Sequence, residues 1–227
     1  MFLSKHKEEV LQNPVGNYWH IRLNNVKKEL EKNNFEVFLA NSSSEAKDLV
    51  LNVIIPQLDP KIITWGGSVT FGSTGLGSIL MDDPRFIVIN PYESGITPAE
   101  AYERRRQSLL SDIYFAGSNA LTEDGKLVNL DGVGNRIGGI NFGPKNAVLF
   151  VGRNKIVPDV ESAMVRVKNI AAPINAMRLD KKTPCVATSF CQDCASPDRI
   201  CSFWTITEKS FPKNRIKVVL INEDLGF

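Results

Sequence analysis

The sequence predicts an α/β protein built on a mostly parallel sheet with helices on both faces. Two patterns carry that expectation. Short apolar runs of strand length alternate with amphipathic helical stretches. Several of those runs are apolar almost throughout, as in FIVIN at 86–90, AVLFV at 147–151 and IKVVLI at 216–221, which suits strands buried on both faces. No internal repeat, low-complexity tract or linker breaks the alternation, so residues 1–227 read as a single domain.

The elements follow in order. Trp19, Leu23, Val26 and Leu30 fall at steps of four, three and four, which makes one apolar helix face from Asn17 to about Asn33. FEVFLA (35–40) is a strand. Ser42 with Glu45 three residues on has the form of a capping box, opening a helix through Ala46, Leu49, Val50, Val53 and Ile54 that should stop by Pro56. KIITW (61–65) is a strand, followed by a glycine-rich turn and a short helix. FIVIN is a buried strand. Thr97 caps a helix with Pro98 in its first turn, running from Ala99 to Leu110. DIYFA (112–116) is a strand. Leu121-Thr122 and Leu127-Val128 flank an Asp-Gly turn and read as a hairpin. AVLFV is a strand, Asp159 caps the helix carrying Ala163, Val167 and Ile170, and IKVVLI closes the fold.

Composition excludes several classes. Apolar residues are 43% and charged residues 23%, ordinary for a globular domain. A net charge of +2 offers no field for nucleic acid. No apolar run approaches the roughly 20 residues a bilayer span needs, and MFLSKHKEEVLQNP turns charged too early for a secretory signal. Cytoplasmic residence without membrane insertion is the expectation. The two histidines, His6 and His20, are both N-terminal, and His20 belongs on the surface of the first helix, which leaves a Ser-His-Asp hydrolase little support.

All four cysteines lie in one stretch, Cys185, Cys191, Cys194 and Cys201, within an irregular insertion at about 183–203. Cytosolic thiols are kept reduced, so two structural disulfides are a poor reading. The Cys191-x2-Cys194 pair lets two sulfurs reach one metal from a tight turn, and the other two can complete four ligands for zinc or an iron–sulfur cluster. The spacing does not choose between these. A dithiol redox centre at Cys191/Cys194 is a third reading, and unmetallated thiols are the plainest. Arg199, Lys181 and Lys182 can offset thiolate charge or simply be solvated.

Two loops suit an anionic small molecule. Gly66-Gly67-Ser68 follows a strand and opens a helix, where free amides favour negative charge. It is neither a Walker loop nor a dinucleotide fingerprint, and a tight packing turn explains it equally well. The second loop runs from Asp131 through Gly132 and Asn135 to Arg136. Arg136 can grip a carboxylate or phosphate with two parallel bonds, and Asp131 can orient a hydroxyl or take a proton. A turn whose Asp caps a helix and whose Arg pairs with it is the plainer reading. Asn119 and Glu123, on the hairpin, and Lys155, after AVLFV, are weaker candidates. Glu100 and Arg104 share a helix face, so the Arg104-Arg105-Arg106 triplet reads as a solvated, salt-bridged surface. No residue is assigned a catalytic role.

The runs GSNALT (117–122), GKLVN (125–129) and DGVGNR (131–136), extended by GP (143–144), VGRNKIV (151–157), AAPIN (171–175) and the closing NEDLGF, resemble the LUD-domain family, including its lactate-utilisation protein C type. The resemblance covers most of the chain. It implies an α/β fold similar to the sugar-phosphate isomerase and CoA-transferase group, a link to oxidation of L-lactate, and iron–sulfur redox protein partners. The cysteine segment is a departure and marks a shorter, cysteine-bearing branch.

Three functions follow as expectations. The first is an accessory redox protein of lactate or 2-hydroxy acid utilisation, holding a metal or iron–sulfur cluster. The alternative is an enzyme or binding protein for a phosphorylated, CoA-like or carboxylate ligand, with any metal structural. The last is an assembly component whose Phe203 and Trp204 dock a partner, although adjacent aromatics more often lie in a core. A homo-oligomer is compatible with each.

Overall fold

The computed structural model describes residues 13–227; the expectations for His6 and for the leading segment lie outside that range. Helix α1 (Pro14–Lys32) starts earlier than its apolar pattern suggests. The reason is its cap: the Asn13 side chain accepts the Gly16 N–H at 2.9 Å, and Pro14 fills a position that needs no donor. Strand β1 is Glu36–Ala40. Ser42 then caps α2 (Ser43–Leu49) by accepting the Glu45 N–H, but the Glu45 carboxylate reaches past Ser42 to the Asn41 N–H at 2.7 Å. The reciprocal half of the expected capping box is therefore shifted by one residue.

Pro56 does not end this helix. A π-helical turn at Val50–Ile54 leads into α3 (Ile55–Leu58), and Asp59, in the left-handed region at φ 42°, terminates it. The wider turn re-registers the hydrogen bonds just where the proline N–H is missing. The same device recurs where α8 (Val160–Arg166) passes through a π-turn at Val167–Ala171 into α9 (Ala172–Arg178), with Pro173 in the first turn.

Strand β2 (Ile62–Trp65) is followed by α4 (Val69–Gly72) and α5 (Leu76–Met81), then β3 (Ile87–Ile89). The expected buried strand at 86–90 is in fact a sheet edge, and Ile87 is 64% exposed. Helix α6 (Pro98–Gln107) carries the expected Thr97 cap. Its Glu100–Arg104 pair forms at 2.7 Å. Strand β4 (Ile113–Gly117), the hairpin β5 (Ala120–Thr122) and β6 (Leu127–Asp131), α7 (Asn135–Asn141) and β7 (Asn146–Gly152) come next. Strand β8 (Ile156–Val157), α8 and α9, α10 (Pro184–Thr188), β9 (Phe203–Thr207) and β10 (Ile216–Ile221) complete the chain.

Six strands form a wholly parallel sheet in the order β1-β10-β7-β4-β2-β3. Alternate residues divide between its faces as the two-residue strand period requires. Tyr114, Ala116, Leu149, Val151, Val218 and Leu220 pack with Leu23, Val26 and Leu30 of α1 on one side. Ile113, Phe115, Val148, Phe150 and Val219 pack with Val50, Ile54, Phe71 and Leu76 on the other. Phe71 stacks on Phe115 with ring centroids 5.7 Å apart, which fixes the short α4 against the sheet.

A second sheet, β8-β5-β6-β9, extends from the carboxyl ends of β4 and β7. Neither β8 nor β9 was expected. Two residues are too few for a legible pattern, and β9 draws its pairing from β6 through long-range contact. Trp204 joins the third core with Ala120, Val128 and Ala163, so it is largely a packing residue; Phe203 is half-exposed.

Candidate functional site

A cleft of about 490 Å³ opens at the carboxyl ends of β2, β4 and β7, where α/β sheets place their ligands. Its lining brings together most of the loop residues named from sequence: Gly67, Ser68, Asn119, Asp131, Gly132, Asn135, Arg136 and Lys155. Glu123 is elsewhere, paired with Arg22 of α1 at 2.5 Å. Gly66 stays behind the cleft wall. Its amide donates to the Phe115 carbonyl at 2.8 Å, and a Cβ there would sit 2.4 Å from the Tyr114 hydroxyl. Gly66 therefore makes room for packing and offers no free amide to an anion. Ser68 caps α4, accepting the Phe71 N–H at 3.1 Å.

The Asp131–Arg136 loop is held by its own hydrogen bonds. The Asp131 carboxylate accepts the N–H groups of Val133, Arg136 and Ile137 at 3.3, 3.0 and 3.2 Å. Arg136 reaches inward from α7. Its two terminal nitrogens donate to Gly117 O, Asn129 Oδ1, Asn119 Oδ1 and Leu130 O at 2.6–3.0 Å. Asp131 lies 4.0 Å from Nε. The charge of Arg136 is thus at the cleft, while its terminal donors bind protein acceptors and leave no free two-pronged grip. Asn119 is the hub of this network. Its Oδ1 also accepts the Leu130 N–H, its N–H donates to Asn129 Oδ1, and its carbonyl accepts from Arg166 at 2.7 Å.

Lys155 is the unusual group. It follows β7, is 4% exposed and lines the cleft. Its ammonium donates to Thr70 Oγ1 at 2.7 Å, and the Thr70 hydroxyl donates onward to Leu225 O at 3.1 Å. Among the described residues no carboxylate comes within ion-pair distance of it. Burial, then the charges of Arg166 and Arg136, push its pKa down to about 7. Lys217, equally buried, is the contrast: it has Glu36 at 3.3 Å and acceptors from Asn146 and Asn214. Burial also lowers the Arg166 pKa. Lys155 and Arg136 thus meet at the cleft floor, with Arg166 outside the lining but near enough to act on Lys155; Asp131, 4.0 Å from Arg136, is not within ion-pair distance of Lys155.

The outer wall adds Arg105, Arg178, Lys181 and Arg199, with Asp198 4.0 Å from Lys181 and Asp193 3.0 Å from Arg199. Arg105 lies over the Tyr92 ring at 5.8 Å.

The match of sequence to family now joins this geometry. A family model for the LUD domain matches residues 23–221. The chain belongs to the LUD domain family. That family is associated with lactate utilisation. The chain is also similar to a crystal structure of a DUF162 family protein from Deinococcus radiodurans, at 13% identity and a TM-score of 0.50, over 89% of this chain and 98% of that one. That likeness supports the fold alone. No curated protein matches at a significant level.

In this LUD domain the cysteine segment forms part of the cleft. Residues Pro197 to Ile200 line it, the Ser202 N–H donates to Asp131 O at 2.8 Å, and a Cβ on Gly132 would meet the Ile200 backbone at 3.1 Å. Arg199 braces the loop through Cys194 O, Cys201 O and Asp193. The cysteines are four free thiols. Among the described residues no three His, Cys, Asp or Glu side chains stand together as a metal-holding group. As arranged, Cys185, Cys191, Cys194 and Cys201 do not fit a four-thiolate cage. Burial raises the Cys201 thiol pKa against the pull of Arg199 and Lys168.

Sequence reasoning gave no site role to Thr70, Tyr92 or Arg166, read Arg105 as part of a solvated surface, and took Arg199 as an offset to thiolate charge and not as part of a cleft wall. Arg166 looked like an ordinary helix residue; only the fold turns it onto the Asn119 carbonyl. Among the described residues no helix is long and apolar enough to cross a membrane.

Proposed function

We propose that this LUD domain binds a small organic anion, a carboxylate or a phosphorylated or CoA-like acid, in the cleft floored by Lys155, and that it serves lactate or 2-hydroxy acid utilisation through that site. One observation carries the reading: a nearly inaccessible lysine, close enough to Arg136 and Arg166 to feel their charges, has no carboxylate of its own within ion-pair distance among the described residues, and Asp131 serves Arg136 instead. Burying unpaired positive charge costs several kcal/mol unless an anion arrives. The cationic outer wall extends the same preference to the cleft mouth and favours capture of anions. A volume of about 490 Å³ suits ligands larger than a three-carbon acid, which supports the phosphorylated or CoA-like members of this class.

Thermal-shift titration with L-lactate, pyruvate, inorganic phosphate and coenzyme A tests this. At about 100 times its dissociation constant, a bound anion adds roughly 2.7 kcal/mol of stability. Lys155→Met should abolish the shift. Shifts that survive unchanged in Lys155→Met, or no shift with any of the four, would reject the reading.

The cysteine segment supports a second reading, an iron–sulfur or zinc site serving redox partners. Its supporting observation is that Cys191 and Cys201 both lie close enough to Lys168 to raise its pKa, although burial and Asp193 act on Lys168 more strongly. The loop would have to close to bring Cys185 and Cys194 in. Anaerobically purified protein should then carry stoichiometric iron with labile sulfide, or zinc; metal-free protein with native stability would eliminate it.

A further inference from the structure

We propose that Lys155 is a covalent site, forming a reversible imine with anionic substrates that carry an aldehyde or ketone. This rests on the cleft being the ligand site and deepens that reading by naming the substrate class.

The geometry is that of an amine prepared for attack rather than for ion pairing. Among the described residues Lys155 Nζ has one hydrogen bond, to Thr70 Oγ1 at 2.7 Å. Because the Thr70 hydroxyl spends its own proton on Leu225 O, it can only accept from Lys155. The amine thus gives Thr70 one N–H and keeps its lone pair available when neutral. The groups that face it are Arg136 from α7, Arg166 from α8 and the Thr70 hydroxyl from α4, and none of these is an anion. On the remaining side the backbone of Gly226 comes so near that a Cβ there would lie 3.3 Å from Nζ. The cleft is therefore the open approach to the lone pair. The same cations that hold the amine neutral attract a carboxylate or phosphate, and so select a carbonyl compound that also carries one. Desolvation beside other cationic groups is the general way in which a lysine is made nucleophilic at neutral pH.

The step balances without a redox partner. The lone pair of Nζ attacks the carbonyl carbon and a C–N bond forms. The carbonyl oxygen then departs as water with the two amine protons, leaving a C=N bond; hydrolysis reverses it. With its pKa near 7, about half of Lys155 is free base at neutral pH, against roughly one part in three thousand for an ordinary lysine.

The test is trapping by sodium cyanoborohydride at pH 7.5 on the intact protein. Pyruvate probes a 2-oxo acid, glycolaldehyde phosphate a phosphorylated aldehyde, and acetaldehyde serves as the uncharged control. Reduction of the imine should raise the intact mass by the probe less one oxygen. Peptide mapping of the unmutated protein should find Lys155 modified at least tenfold faster than surface lysines by one of the anionic probes, and less by acetaldehyde. The anionic probe that labels identifies the source, carboxylate or phosphate. Labelling spread evenly over surface lysines, or an unmodified Lys155, would overturn the proposal. Thermal shifts with the same two anions, measured without reductant, separate the outcomes: a probe that stabilises the protein but leaves Lys155 unmodified ends the covalent step and spares the anion site.

Discussion

Arg136→Met is expected to destabilise the protein by about 3–5 kcal/mol, whether or not a ligand is present. The guanidinium fills four acceptors at once: the carbonyls of Gly117 and Leu130 and the side-chain oxygens of Asn119 and Asn129. Asn129 and Leu130 are buried, so removing the donor strands polar atoms that water does not readily reach. The damage spreads through Asn119, which also holds Leu130 of β6 and, through its carbonyl, Arg166 of α8. Arg136→Lys should recover little, because a single ammonium cannot span acceptors arranged for a planar fork. Urea denaturation of the two variants measures this. A loss below about 1 kcal/mol for Arg136→Met would mean that the network carries little weight.

Lys155→Met is expected to do the opposite. It should stabilise the ligand-free protein by on the order of 3 kcal/mol at neutral pH while removing anion binding. The pH dependence follows from its pKa, lowered to about 7 in the folded protein from an ordinary value of 10.5. Below pH 7 both folded and unfolded chains hold the proton, and the full cost of burying charge is present. Between pH 7 and 10.5 the unfolded chain binds the extra proton, so wild-type stability rises with pH relative to the variant. Above 10.5 the lysine is neutral in both states and the cost is gone. The stability gap between wild type and Lys155→Met should therefore be widest at or below neutral pH and close progressively towards pH 10.5. Denaturation curves across that range check the trend, and a gap that widens with pH would contradict it. The same arithmetic explains why a ligand is expected: a bound anion offsets a cost that the fold otherwise bears alone.

Much of the architecture was legible because local chemistry wrote it. The caps at Ser42, Thr97 and Asp159 form as their side chains require, and the apolar runs at 147–151 and 216–221 lie side by side in the sheet centre. Pro56 misled because a proline reads as a stop, while a π-turn let the helix carry on through it. The edge position of Ile87 was invisible, since composition does not say whether a strand has one neighbour or two.

The site was half legible. The loops holding Gly67, Asp131 and Arg136 do converge, but their inner roles differ from the first reading. Arg136 supports the cleft from within, and Lys155, a weak candidate on sequence, becomes the group with the most unusual surroundings. What separates Lys217 from Lys155 is Glu36 beside the first and, among the described residues, no carboxylate within ion-pair distance of the second. That is a fact of packing between distant segments, with no trace in the spacing along either one. The cysteines drew attention by density, yet the segment they occupy meets the cleft through Pro197–Ile200 and leaves the thiols themselves uncollected.

The most direct measurement is the titration of Lys155 itself, followed by the side-chain NMR signals of selectively labelled lysine and assigned with Lys155→Met. In the free protein Lys155 should titrate near neutral pH, and a saturating anion that occupies the cleft without forming an adduct should move that titration up towards the ordinary lysine range. A Lys155 that titrates near 10.5 in the free protein, or whose titration ignores a bound anion, would contradict the account.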